Sequence, residues 1–208
     1  MQGGLQAGDV KAAGTEHGVG NGGVTDYDAR CKDDQVLVGL DVITDPTTSI
    51  LYGFKLACAS VAFASGASGA VIVGHGEPQK SDVIGYNPNM EPAVWSSLDC
   101  GPSALVTQVR GVFGTATIGG GMFTTISQLV LTCSTAALDA GLQLGWTAGT
   151  SLFSAAAEQR STDYAFTDTC DAQPVIGFSG KYAGAIDKLQ TYCRGLGVAR
   201  GAGGVTQQ

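Results

Sequence analysis

The residue types that do chemistry are thinly spread along this chain. His17 and His75 are the only histidines among its 208 residues, and each stands beside a glycine. With two imidazoles, no G-x-S-x-G elbow and no H-E-x-x-H pair, serine-hydrolase and zinc-protease arrangements lack their base or their ligands. "GFSG" at 177–180 is a near miss of the elbow, and its Ser179 reads as part of a strand bend. "GVGNGG" at 18–23 fits G-x-G-x-x-G, but a dinucleotide site needs a strand before that loop and a helix after it. "VTDYDARC" follows instead, so the glycines read as a turn-forming segment. Asp26, Asp28, Asp33 and Asp34 flank Cys31 without the spacing of a calcium loop, which gathers about six to eight oxygens. They read as a solvated acidic edge that discourages strand addition, with a weak calcium site as the alternative. No catalytic residue, no metal and no cofactor is expected.

The cysteines are more informative. They stand at Cys31, Cys58, Cys100, Cys133, Cys170 and Cys193, and the first members of successive pairs lie 69 and 70 residues apart. A period near one third of the chain is an internal repeat. The segments that close each unit agree: "ILYGFKLAC" (50–58), "TISQLVLTC" (125–133) and "AIDKLQTYC" (185–193). Phe54, Leu129 and Leu189 precede the closing cysteine by four positions, and Leu51, Ile126 and Ile186 precede it by seven. "VLVGLDV" (36–42), "LVTQVRG" (105–111) and "VIGFSG" (175–180) open the units, alternating apolar with small or polar residues as a half-buried strand does. Each unit therefore contains a strand, a turn and a returning strand.

Of the pairings six cysteines allow, the repeat singles out Cys31–Cys58, Cys100–Cys133 and Cys170–Cys193. Each bridge would contribute about 3–4 kcal/mol by restricting the unfolded chain. Oxidised pairs imply an extracellular, periplasmic or secretory location; buried free thiols in a cytosolic protein are the alternative. No C-x-x-C or neighbouring histidine offers zinc a tetrahedral set. "MQGGLQAGDV" shows no charged region followed by an apolar one. A leader was removed before Met1, the chain is exported another way, or it stays inside.

Composition fits many short strands. Glycine accounts for 32 residues and charged residues for only 14%, so neither a disordered polar chain nor a charged helical one is indicated. The formal charge of −7, with eleven scattered Lys and Arg, leaves no basic face for nucleic acid. No apolar run approaches the roughly 20 residues of a transmembrane helix. Stretches such as "GAVIVGHGEP" (69–78) and "GLQLGWTAGTSLF" (141–153) add further strands, about four to a unit. The expected fold is all-β: three sheets related by a pseudo-threefold axis and packed as a prism around a shared apolar interior. It is expected as one domain, 1–208, with units at about 1–69, 70–139 and 140–208. Segments 1–20 and 199–208 are either loose tails or pairing strands.

These residues resemble two known families. "LYGFKLAC" (51–58), following a cysteine and "VLVGLDV", resembles the L-x-G-[IF]-[KR]-L-x-C close of the vitelline membrane outer layer proteins. "VIGFSGKYAGAID" (175–187) resembles the last hairpin of jacalin-related lectins, where a glycine-rich turn leads to an aspartate. Both resemblances imply the type I β-prism of three antiparallel Greek-key sheets. The second implies a sugar site at one prism end, held by backbone amides and by the aspartate of a G-x-x-x-D turn. Gly184 and Asp187 are the counterparts here, one residue closer together, with Tyr182 just before the turn. Tyr52 and Ser127 stand where Asp187 stands in the other two units.

Asp187 either receives a sugar hydroxyl or satisfies the amides of its own turn. "VIGYNPNMEPAVWSS" (83–97) brings Tyr86, Asn87, Met90 and Trp95 together. Aromatic faces beside amides hold sugar rings, and they also plug a prism end. Trp146 carries the same two readings. The expected function is a non-catalytic, secreted or surface-exposed lectin with a glycan as partner and self-association open. The rivals are a structural component of an extracellular coat, and a targeting domain of a lytic assembly whose Met90–Trp95 tip touches lipid.

Overall fold

The structure is a computed structural model, and it describes residues 4–18, 23–65, 71–86, 89, 92–118, 121–139, 144–154, 164–171 and 173–199. Thirteen strands and no helix occur among them: β1 (Gly4–Gly18), β2 (Thr25–Arg30), β3 (Gln35–Thr44), β4 (Leu51–Ser65), β5 (Val71–His75), β6 (Gln79–Lys80), β7 (Val94–Asp99), β8 (Ala104–Ile118), β9 (Gly121–Leu138), β10 (Leu144–Phe153), β11 (Ala165–Thr169), β12 (Val175–Tyr182) and β13 (Ile186–Ala199). All named pairings are antiparallel.

The opening and closing segments of each unit form the hairpins β3–β4, β8–β9 and β12–β13. Each hairpin is the centre of a sector, with one further strand on either side. The orders are β6-β4-β3-β7, β10-β9-β8-β11 and β1-β13-β12-β2. Two of the three expected sheets are joined into one of nine strands. The physical reason is length. β4 and β9 run on past Cys58 and Cys133, and β5 pairs with both protruding ends, Val61–Ser65 and Ala136–Leu138. Flanking strands also come from distant sequence: β1 and β2 belong with the C-terminal hairpin, and β1 pairs along β13 from Gly4 to Gly18.

Phe54, Leu129 and Leu189, and with them Leu51, Ile126 and Ile186, all lie in the central apolar cluster with essentially no exposure. Positions three apart on a regular strand face opposite sides, so something must reset the alternation. A bulge does so in each hairpin, because the ladder skips Tyr52 in β4, Ser127 in β9 and Asp187 in β13. A second bulge recurs on the first strand beside the cysteine. There the ladder skips Val38, Thr107 and Ile176, next to the pairs Leu37–Cys58, Val106–Cys133 and Val175–Cys193.

Those second bulges anchor, each within its own sector, the cysteines that reach across to the next. The N–H of Cys31 donates to Ile176 O at 2.7 Å, that of Cys100 to Val38 O at 3.0 Å, and that of Cys170 to Thr107 O at 3.2 Å. Each of these cysteines ends a flanking strand of one sector, and its disulfide reaches the hairpin of another. The bridges are Cys31–Cys58, Cys100–Cys133 and Cys170–Cys193, with Cα separations of 5.5, 5.5 and 5.6 Å. The pairing singled out by the spacing is therefore present, and each bridge ties neighbouring sectors rather than closing one hairpin on itself.

Close backbone approach at the joints needs glycine. A Cβ on Gly177, at φ +149°, would collide with Ala29 O of β2. Arg194, buried beside Cys193, donates to Lys32 O at 2.8 Å and Asp33 O at 2.7 Å and pairs with the Asp33 carboxylate, which fixes the turn after Cys31. The four aspartates flanking Cys31 are spent separately: Asp26 pairs with Lys181, Asp28 with Arg30 and Asp33 with Arg194, while Asp34 accepts from Ser60 Oγ. Phe54 and Phe178 meet edge to face in the shared interior, with centroids 5.6 Å apart. A smaller cluster around Val36, Val38, Leu105 and Ile176 takes Trp146 against its margin.

Replacing both Cys31 and Cys58 by alanine is expected to lower stability by about 3–4 kcal/mol in urea unfolding. Gly177→Ala is expected to lower it by more than a strand Gly→Ala exchange without such a contact. An unchanged midpoint in either variant would contradict the joints described.

Candidate functional site

The β12–β13 turn lies at the end of the molecule opposite the cysteine joints of its hairpin. Gly184 sits in it at φ +100°, a conformation that favours glycine, and the Ala183 N–H donates to Ala185 O at 3.2 Å. Two strand ends bracket the turn. At the end of β1, a Cβ on Gly18 would lie 2.8 Å from Asp187 O. Before β2, the Val24 N–H donates to Tyr182 O at 3.2 Å, and Val24 itself is 88% exposed. The β1–β2 connection, 19–22, lies outside the described residues.

Asp187 is the bulge residue of β13 and is buried. Burial pushes its carboxyl up to about 6, partly opposed by a hydrogen bond from the Ala183 N–H. The corresponding bulge residues also turn their polar atoms back on their own hairpins. Tyr52 Oη donates to Asp45 Oδ2 at 2.6 Å, and Ser127 Oγ donates to Val112 O at 3.1 Å. Asp45 in turn accepts the N–H groups of Thr47 and Thr48, both at 2.7 Å, so the β3–β4 loop is satisfied internally.

Tyr182 is half-buried against Tyr27, whose hydroxyl donates to Lys188 O at 2.9 Å. Burial raises the Tyr27 hydroxyl well above the usual phenol range. Tyr86 reaches the same end from the β6–β7 connection. Phe54 and Ile84 exchange backbone hydrogen bonds of 3.0 and 2.9 Å, and Tyr86 packs on a cluster of Ile43, Ile50, Tyr52 and Ala185. The structure thus brings Gly184, Asp187, Tyr182 and Tyr86 to one end. Trp95 touches Tyr86 edge-on at 6.4 Å, yet it sits on β7 and presents its ring on the outer face of the β3–β4 sector. Asn87 and Met90 lie outside the described residues.

Elsewhere, Ser179 Oγ lies 3.2 Å from Tyr192 Oη. His17 Nε2 lies 2.7 Å from Asp168 Oδ1 and the ring stacks on Phe166 at 4.0 Å, joining β1 to β11. His75 is held by the carbonyls of Gly76 and Gly101. Among the described residues no group of three or more His, Cys, Asp or Glu could hold a metal ion. Lys55 and Asp41, which line a cleft beside Trp95, were not legible as site residues. Their outward position in "FKL" and "LDV" is the only signal the sequence offers.

No protein-family model and no curated protein matches the chain. Solved structures do match. Frutapin, a lectin from Artocarpus incisa, superposes with a TM-score of 0.52 at 12% identity, over 89% of this chain and 96% of that one. Artocarpin, in a complex with mannotriose, gives 0.53 at 10% identity over 89% and 97%. Frutalin from Artocarpus incisa gives 0.51 at 11% identity over 89% and 95%. These neighbours are jacalin-related lectins, and what the chain shares with them is the β-prism fold.

The raised carboxyl of Asp187 has a stability consequence. The native state holds that proton more tightly than the unfolded chain, so the group favours folding as pH falls below about 6 and opposes it above. Urea midpoints of the wild type should therefore fall between pH 4 and 7 relative to those of Asp187→Asn, by on the order of 1 kcal/mol. Parallel pH profiles would contradict the burial argument.

Proposed function

We propose that the protein is a non-catalytic glycan-binding protein, secreted or displayed at a cell surface, which takes a sugar at the β12–β13 end of a pseudo-threefold prism. The observation that carries this reading is the turn itself. Gly184 opens it, Asp187 stands on the bulge behind it, and the ends of β1 and β2 bracket it with Tyr182 and Tyr86 alongside. Backbone N–H groups and one carboxylate beside aromatic rings suit the hydroxyls and C–H faces of a pyranose. That artocarpin is seen with mannotriose on the same kind of scaffold supports a glycan as the ligand class.

The chain is taken as a single domain over 1–208, built of units at about 1–69, 70–139 and 140–208. The recurring pair of bulges supports three such hairpin units, whose flanking strands cross the bounds: β1 and β2 lie with the third hairpin, and β6 and β7 with the first. Three cystines support an oxidising compartment.

One observation favours a second reading, a coat component that self-associates. β10 is a flanking strand of ten residues without a charged side chain, and its Phe153 is 60% exposed. An uncharged edge invites strand addition by a second copy. The lipid-touching alternative needs Met90, which lies outside the described residues, while Trp95 lies on a strand beside Lys55. No helix among the described residues is long and apolar enough to cross a membrane.

A glycan array run beside a sizing column tests the proposal. The wild type is expected to give a sugar signal that Asp187→Ala and Tyr86→Ala lose. Because a sugar hydroxyl donates to the ionised Asp187, binding should weaken as pH falls through about 6. Concentration-dependent multimers with no sugar signal would favour the coat reading instead.

A further inference from the structure

The outer face of the β3–β4 sector carries a cleft of about 350 Å³ lined by Asp41, Lys55, Trp95, Ser96 and Ser97. The register explains its composition. Lys55 on β4 and Ser97 on β7 are the direct neighbours of Asp41 on β3, and Trp95 stands two residues before Ser97 on the same face. Trp95 is 47% exposed, which leaves much of a large apolar ring open to solvent at the cleft. The Lys55 ammonium lies 5.2 Å from the centre of its ring.

The charges in the cleft are unequal. Asp41 Oδ2 accepts from Lys80 Nζ at 2.6 Å, which neutralises that carboxylate. Among the described residues no carboxylate lies within ion-pair distance of Lys55. Asp99, the next outward residue on β7, spends an oxygen on the Gly101 N–H at 2.8 Å. Of the two charged groups that line the cleft beside the exposed indole, Asp41 is thus paired with Lys80 while the Lys55 ammonium has no ion-pair partner among the described residues. A neutral sugar would leave Lys55 without a counter-charge, and an acidic small molecule without a ring would leave Trp95 uncovered.

We propose that this cleft is a second ligand site, separate from the prism end, that takes a carboxylate-bearing pyranose such as a uronic acid residue of a glycan. The sugar carboxylate pairs with Lys55, the C–H face of the ring covers Trp95, and hydroxyls donate to Asp41 Oδ1 and meet Ser97 Oγ. Lys55 is the residue that sets the preference for acid over neutral sugar. The proposal rests on the glycan-binding reading and adds to it a charge class and a second place on the molecule.

The test uses the full chain on an array printed with glucuronate-terminated oligosaccharides and with the same oligosaccharides after reduction of the carboxyl group to an alcohol. The wild type should bind the acid form about tenfold more tightly, with the margin shrinking as salt is raised. Lys55→Met should bring the two forms level, Lys55→Arg should keep the preference, and Trp95→Ala should weaken acid-form binding about tenfold or more. Urea midpoints of the variants, whose side chains lie on the outer face, confirm folding. Equal binding of both forms by the wild type, or a preference that survives Lys55→Met, would overturn the proposal. If neutral oligosaccharides bind without any acid preference, this inference falls and the glycan reading stands. If neither form binds and no other sugar on the array does, both fall.

Discussion

The fold depends on how three sectors are closed into a ring. In each, a flanking strand ends at a cysteine whose N–H donates to a bulge carbonyl of its own sector's hairpin, and whose sulfur is bonded to the hairpin of the next sector. Ile176, Val38 and Thr107 have carbonyls available for this because the bulge takes them out of the ladder. The same three hydrogen bonds and three disulfides therefore settle where the sectors sit, and the interior around Phe54, Phe113 and Phe178 packs within that frame. An isolated hairpin is marginal in water. Here each hairpin is held by its neighbours on both sides.

The bulges farther along the hairpins link this frame to the candidate site. By skipping Tyr52, Ser127 and Asp187, they bring Leu51 and Phe54, Ile126 and Leu129, and Ile186 and Leu189 to the interior, and they leave Tyr52 and Asp187 beside their own turns and Ser127 farther along its hairpin. Tyr52 and Ser127 use that position for a hydrogen bond within the hairpin. Asp187 brings a carboxylate to it, in the one turn bracketed by the ends of β1 and β2. The same bulge in three hairpins thus carries a chemically different side chain in one of them. Trp95 belongs to a different surface, because β7 presents alternate residues outward and Trp95, Ser97 and Asp99 share that face.

Much of this was legible in the residues. The period of the cysteines gave the three hairpins and the disulfide pairing, and the apolar residues four and seven positions before each closing cysteine marked the interior. The bulges were implicit in that odd spacing of three, which a regular strand cannot bury, but nothing local says which residue is skipped. Long-range consequences were not legible. That a disulfide joins two sectors depends on where β2, β7 and β11 pair, and that β5 stitches two sheets into one depends on how far β4 and β9 overrun their cysteines. In the candidate site, Gly184 and Asp187 were pointed to by the resemblance of their turn to that of jacalin-related lectins. Lys55 and Asp41 were not, because a lysine and an aspartate on separate strands become neighbours only through the register.

The closure of the ring is tested most directly by residue-resolved amide hydrogen exchange. Cys31, Cys100 and Cys170 lie outside the strands, where amides ordinarily exchange fast. If their N–H groups bond to Ile176, Val38 and Thr107, all three should be protected to the same degree as the central ladders of β3–β4, β8–β9 and β12–β13. Exchange of any one of them at the rate of an exposed loop would show an open joint and contradict the account.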